Sequence, residues 1–323
     1  SSMLAIYFTV FMMLTETVST ITTINYHSLF PELFSESGSR TRANALRQAL
    51  QLVGMIIGVA LTPMITAKIG YAKTAVLLSV LGMSLLLVSA LGSHENPRFE
   101  QSKQPSLGDA YKAVLSNRNF LKVSFTNFFY QATAGLLLAA IPFYVTYSLE
   151  LQPAQATYLM AAVFVTAIPA MAVWAKLINR FGTLRMWRLA LLLLMFSVVP
   201  MFFAQTLAAA MVAGAFIGIS IAGVTANIDL INATIIDEDA AESGLRREGI
   251  YISAINFVIR FSGLARSLIF FLTTVFFGFV NAEEPGPNPG LASRYMLAVF
   301  PAALMVISVL LSRTVSFETK KVD

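Results

Sequence analysis

Arg260 and Arg266 lie inside 250–279, an apolar run of helix length. A guanidinium part-way along such a helix is costly unless it meets water or a partner, so both residues mark a candidate site. The preceding apolar run, 208–236, carries Thr225, Asp229 and Asn232 on one face, and 250–279 carries Asn256, Arg260, Gly263 and Ser267 on another. An acid on one helix and a base on the next neutralise each other in a low dielectric. Asp229 is therefore expected either to pair with Arg260 or Arg266, or to line a wet path. Arg266 points about 240° away from Arg260 and reads as structural. In the first apolar run Thr9, Glu16, Thr20, Thr23 and His27 recur at helical steps as one polar stripe, and Glu16 near its middle calls for a cavity rather than lipid. Asn127, Tyr130 and Gln131 add hydroxyl-reading donors and acceptors beside an aromatic ring.

A second set of charges falls in connections. Asp237, Glu238, Asp239 and Glu242 are followed by Arg246, Arg247 and Glu248, and an earlier loop carries Glu32, Arg40 and Arg42. Of these, Glu32, Arg40 and Arg42 in one half and Asp237, Arg246, Arg247 and Glu248 in the other are expected to form a cytoplasmic gate that pairs when the inside is closed and separates when it opens. Single exposed pairs are each worth about 0–1 kcal/mol, so only a network of them can bias such an equilibrium.

The elements that must position these residues are membrane helices. Of 323 residues 57% are hydrophobic and 12% charged, and the mean hydropathy is +0.72, which places the chain in the polytopic membrane class. About 20 apolar residues cross a hydrocarbon core, and windows of that size give nine spans: 3–29, 44–67, 74–91, 120–147, 156–178, 186–204, 208–236, 250–279 and 293–312. The polar stretch 92–119 divides a region of three spans, 1–91, from one of six, 120–323. Placing the 30–43 loop, the 92–119 linker, the 179–188 turn, the 237–249 hinge and the C-terminus on one side gathers nearly all Lys and Arg there. That side is cytoplasmic by the positive-inside rule. The basic excess of +5 thus reads as topology, and no nucleic acid partner is expected. Cysteine is absent, and His27 and His94 are too few for a metal site. There is no nucleophile-base-acid set and no glycine-rich phosphate cradle, which excludes the common enzyme classes.

Three motifs carry a resemblance. Tyr26-His27-Ser28-Leu29-Phe30-Pro31-Glu32-Leu33 precedes Arg40-Thr41-Arg42 and Arg47; Asp237-Glu238-Asp239 precedes Gly244-Leu245-Arg246-Arg247-Glu248-Gly249; and Asn179-Arg180-Phe181-Gly182-Thr183-Leu184-Arg185 joins two spans. They are similar to the glycoside-pentoside-hexuronide:cation symporters, the melibiose-permease-like branch of the major facilitator superfamily, which also includes eukaryotic lysolipid carriers. The resemblance implies an all-α bundle truncated to helices four to twelve of twelve, and Glu36 to Arg42 echoing Glu242 to Glu248 fits two parallel halves. It places Arg260 at a membrane-embedded lysine near sugar and cation, and Arg47 at an arginine that bonds sugar hydroxyls. Thr23 and Thr234 stand where the family carries aspartates.

The expectation is an integral membrane symporter of the plasma (inner) membrane with a cytoplasmic C-terminus, a monomer among lipid, moving a sugar or glycoside with Na+ or H+ and no other cofactor. Its solute site would draw on Glu16, Thr23, Arg47, Asn127, Tyr130, Gln131, Asp229, Asn256 and Arg260. The alternatives are a lysolipid carrier of the same superfamily and a non-transporting membrane fragment.

Overall fold

An apolar surrounding offers the backbone no hydrogen-bond partners, so each long apolar run closes its own bonds as a helix. The computed structural model describes residues 2–34, 37–58, 62–93, 107–245, 247–280 and 284–317, and among these every regular element is helical. α1 (Ser2–Leu33) and α2 (Ser37–Ile56) lead to the short α3 (Thr62–Ile69) and to α4 (Tyr71–Gly92). The polar stretch contains α5 (Leu107–Ser116). Then come α6 (Arg118–Phe143), extended by a π turn at Tyr144–Ser148, and α7 (Ala156–Phe181). α8 (Thr183–Ser197) is followed by the one-turn α9 (Pro200–Phe203), and then by the long α10 (Leu207–Ser243) and α11 (Glu248–Phe277). Finally α12 (Pro289–Arg294) passes through a π turn into α13 (Phe300–Arg313).

Among the described residues seven helices are long and apolar enough to cross a membrane, beginning at Tyr71, Arg118, Pro153, Thr183, Leu207, Glu248 and Pro289. They match seven of the nine expected spans. The expected span 3–29 is occupied by α1. Within the expected span 44–67, α2 reaches Ile56 and α3 begins at Thr62; residues 59–61 lie outside the described residues. The acidic hinge also differs from expectation. Asp237, Glu238, Asp239 and Glu242 lie on α10, which runs on to Ser243 and ends at Gly244 in a left-handed conformation (φ 67°).

The core sits in α6–α13. α10 packs against α7 and α8, and α13 against α6 and α8. The α7–α10 contact is set by Gly214 and Gly218, spaced as small residues that let two membrane helices close up. A Cβ at Gly218 would lie 2.0 Å from the Val163 carbonyl oxygen. Trp174 fills the next turn and donates its indole N–H to the Ile219 carbonyl at 2.9 Å. Lys122 and Arg188 reach the last carbonyls of α13, Lys122 donating to Thr314 O at 2.8 Å and Arg188 to Ser312 O at 3.0 Å, where cations complement the helix dipole. α1 and α2 join this body from outside: α1 lies against α11, and α2 against α7 and α10.

Candidate functional site

α2 is where the site begins. Beyond the charged first turns of α2, Asn44, Arg47, Gln48 and Gln51 are spaced three or four residues apart around the helix, so they form one polar stripe. α2 lies against α7 and α10, and the stripe meets Asp229 of α10. Arg47 Nη2 donates to Asp229 Oδ2 and, at 2.9 Å, to Asn44 Oδ1. Gln48 Nε2 donates to the same Asp229 oxygen at 2.6 Å. Asn44 in turn donates to the Ala226 carbonyl at 2.9 Å. The guanidinium stands over the Phe30 ring, 4.4 Å from its centroid, and its Nη1 lies 3.4 Å from His27 Nδ1. Side-chain exposures of 13% for Arg47 and 19% for Asp229 make this a largely desolvated pair, held by charge-assisted bonds on both partners.

The pair forms one wall of a cavity of about 430 Å³ between α1, α2, α6, α10 and α11. α6 contributes Asn127, Tyr130 and Gln131; α10 adds Thr225 and Asn232; α11 adds Asn256. Most of the remaining lining is Ile, Leu, Val, Met and Phe. Tyr130 is fixed by a 3.1 Å hydrogen bond between its hydroxyl and that of Thr225. Two buried polar atoms in this lining have no partner: Arg47 Nε, a donor, and Asn127 Oδ1, an acceptor. A buried group left unpaired costs about 1–3 kcal/mol, so both point to something that binds there. Since Arg47 and Asp229 cancel in charge, the cavity suits an uncharged guest whose groups donate and accept at once, as hydroxyls do.

Of the nine residues expected to meet solute, Arg47, Asn127, Tyr130, Gln131, Asp229 and Asn256 line this cavity, and Glu16, Thr23 and Arg260 do not. Asp229 pairs with neither Arg260 nor Arg266. Its partner is Arg47, because α2 and not α11 presents the nearest base. Arg260 instead reaches α1, bonding Glu16 Oε2 at 3.0 Å and the Thr20 hydroxyl. That pair is half exposed, at 51% and 59%. The polar stripe of α1 is thereby split, with Glu16 and Thr20 holding α11 while His27, two to three turns on, enters the cavity. Arg266 lies across Gly135 of α6, where a Cβ would be 2.6 Å from its Nη1.

At the charged corner, Arg40 Nη1 bonds Asp237 Oδ2 at 2.6 Å, tying the start of α2 to the end of α10. Arg247 holds Asp239 at 3.1 Å within its own region. Arg42 is exposed and Glu248 buried; the side chain of Glu32 and residue Arg246 lie outside the described residues. His27, which the sequence places on the α1 polar stripe but not among the solute residues, belongs to the site, as do Phe30, Gln48 and Gln51, which sequence reasoning does not select. The polar spacing on α2 was the available signal for the glutamines. Among the described residues no group of His, Asp and Glu could hold a metal ion.

Comparison with known proteins gives two results. The family described as MFS/sugar transport protein matches residues 1–318. Among solved structures, the chain is similar to a major facilitator superfamily transporter, FucP, in the outward conformation, with a TM-score of 0.61 and 14% identity over 90% of this chain and 72% of that one. It is also similar to a variant of the E. coli fucose:proton symporter FucP, with a TM-score of 0.57 and 16% identity over the same shares. No curated protein sequence matches.

Proposed function

Because the chain belongs to the MFS/sugar transport protein family, and is thus a membrane transporter rather than an enzyme, we propose that it is a secondary symporter of an uncharged sugar or glycoside. It works by alternating access with a coupling cation, in the melibiose-permease-like branch, in the plasma (inner) membrane with its C-terminus cytoplasmic, as a monomer among lipid. The observation that carries this reading is the cavity in which a charge-neutral Arg47–Asp229 pair adjoins an unpaired donor on Arg47 and an unpaired acceptor on Asn127. Sugar hydroxyls supply both the acceptor and the donor that these atoms lack, and Tyr130 offers a ring to the apolar face of a pyranose. The E. coli neighbour is a fucose:proton symporter, which fits the same solute class. In an alternating-access cycle the Arg40–Asp237 contact would close one end of the cavity and open as the two regions rock.

A second cavity, of about 600 Å³, adjoins the first and is mostly apolar, with Leu29, Leu33, Leu46 and Leu50 in its walls. It favours a second reading, an amphiphile such as a lysolipid with its chain there and its headgroup at Arg47. Reconstitution in liposomes separates the two. Uptake of labelled neutral monosaccharides and methyl glycosides that is lost in Asn127→Ala supports the first reading. Binding of lysophosphatidylcholine with no sugar uptake replaces it with the second.

A further inference from the structure

The site contains a titratable group that solute recognition does not require. His27 faces Arg47, with Nδ1 3.4 Å from Nη1. A guanidinium only donates and stays charged, so a hydrogen bond across this contact requires the lone pair of Nδ1, and with it a neutral ring protonated on Nε2. A proton arriving at Nδ1 removes that acceptor and sets an imidazolium against the guanidinium, a local repulsion that the Asp229 carboxylate beyond Arg47 offsets. A hydroxyl oxygen between them relieves this, because it can accept from both. Resting on the carrier reading above, we propose that His27 is the proton site of the transporter, and that Arg47 is the residue through which proton and solute binding communicate.

The sign of the coupling follows. With His27 neutral, Arg47 is held by His27, Asn44, Asp229 and the Phe30 ring. Protonation frees its Nη1 for a solute oxygen, and a bound solute oxygen in turn favours the proton, by the same factor in each direction. Proton and sugar therefore bind together and leave together. The charged groups facing the imidazole are Arg47 from α2 and Asp229 from α10. Across the cavity α6 brings Tyr130, already bonded to Thr225, and α11 brings Asn256, which does not titrate. On its own helix Tyr26 lies edge-on at 5.9 Å, and Ser89 of α4 and Ser93 just past its end supply hydroxyls in the second cavity. Glu16 and Arg260 are eleven residues or more away along the α1–α11 contact, about 16 Å by helical rise. His27, Phe30, Arg47 and Gln51 line both cavities, so the imidazole can be reached from either one.

The chain has two histidines, so 15N-histidine labelling of the full chain carrying His94→Gln reports His27 alone. The expected neutral ring carries its proton on Nε2, and its titration midpoint shifts between this protein and its Arg47→Met variant. A neutral ring protonated on Nδ1, or coincident midpoints, overturns the proposal. In proteoliposomes, L-fucose and methyl α-glucopyranoside serve as probes. Uptake is expected to rise several-fold when the outside is acidified, whereas any uptake left in His27→Gln runs at the same rate with or without the gradient. A His27→Gln protein that still responds to the gradient overturns the proposal. Absence of uptake by the unmodified chain overturns the carrier reading and the coupling with it, while a ring titration that still answers to Arg47 would show His27 to be a proton site without that role.

Discussion

The regions before and after the 92–119 stretch are held together by different forces. α6–α13 has an interior: Trp187, Tyr144, Tyr251 and Phe120 are fully buried, and glycines let α10 press against α7. α1–α4 has little of its own: α2 buries Thr41, Asn44, Ala45 and Gln48. Phe30 is the one described residue of α1 that is buried, and Thr74 the one on α4. Beside the apolar packing of Ala45, Ala49, Leu52 and Met55 of α2, a row of directional polar contacts ties the first region to the second: Arg47–Asp229, Asn44 to the Ala226 carbonyl, Arg40–Asp237 and Arg260–Glu16. Apolar packing resists sliding because every displaced methyl loses contacts, whereas an ion pair or a hydrogen bond can be exchanged for a solute or water. The molecule thus keeps its rigidity in one region and its exchangeable bonds at the seam, where the cavity is.

The sharpest way to break that contrast is to place the same substitution in each region. Gly218→Val sets a side chain where the Val163 carbonyl oxygen is 2.0 Å from the Cβ position, whereas Gly82 of α4 has nothing within 4 Å. Overpacking a fixed core costs about 1–3 kcal/mol, and a backbone obstacle puts Gly218 at or above the top of that range. Gly218→Val is expected to abolish a monodisperse detergent-solubilised peak, and Gly82→Val to leave it unchanged. Equal profiles would mean that the two regions are packed alike.

The next effect is at the seam. Asp229→Ala leaves the Arg47 charge buried without its carboxylate, a loss of about 3–5 kcal/mol, and the thermal midpoint of the purified protein should fall accordingly. Arg47→Met added to it should recover part of the loss, since no stranded charge remains. If the double variant is no more stable than the single one, the pair does not hold the regions together. Arg260→Ala should cost less, on the order of 1 kcal/mol, because Arg260 and Glu16 are half exposed at 51% and 59% and such pairs are weak. A midpoint shift as large as that of Asp229→Ala would contradict this ranking.

Much of this arrangement was legible in the sequence. Apolar run length located the helices, and residues sharing a helical face with a polar neighbour, such as Asn127 with Tyr130 and Gln131, lie together in the cavity. Helical periodicity gives the face of a helix but not the helix opposite, which is why Asp229 was matched to arginines of the adjacent helix rather than to Arg47, 182 residues away. The same limit hid the link from Arg260 to Glu16. The acids from Asp237 to Glu242 were read as a loop because charge marks the end of a membrane span. A helix nevertheless continues past the apolar run while its residues favour it, and Ala240 and Ala241 carry α10 on to the left-handed stop at Gly244.

The smallest effect on stability, and the most informative about movement, belongs to Arg40 and Asp237. Their 2.6 Å contact joins the start of α2 to the end of α10, and Asp237 is 48% exposed. A pair this accessible contributes at most about 1 kcal/mol, so Asp237→Asn should barely move the thermal midpoint. Its bond nevertheless spans the two regions, so its state follows theirs. The chain contains no cysteine, and a double Arg40→Cys, Asp237→Cys variant therefore carries a single reporter pair. A bifunctional thiol reagent of matching span should link the two positions in the resting protein and lose yield when a transported sugar is added. A yield indifferent to sugar, in a variant that still takes the sugar up, would place the moving contact elsewhere on the seam.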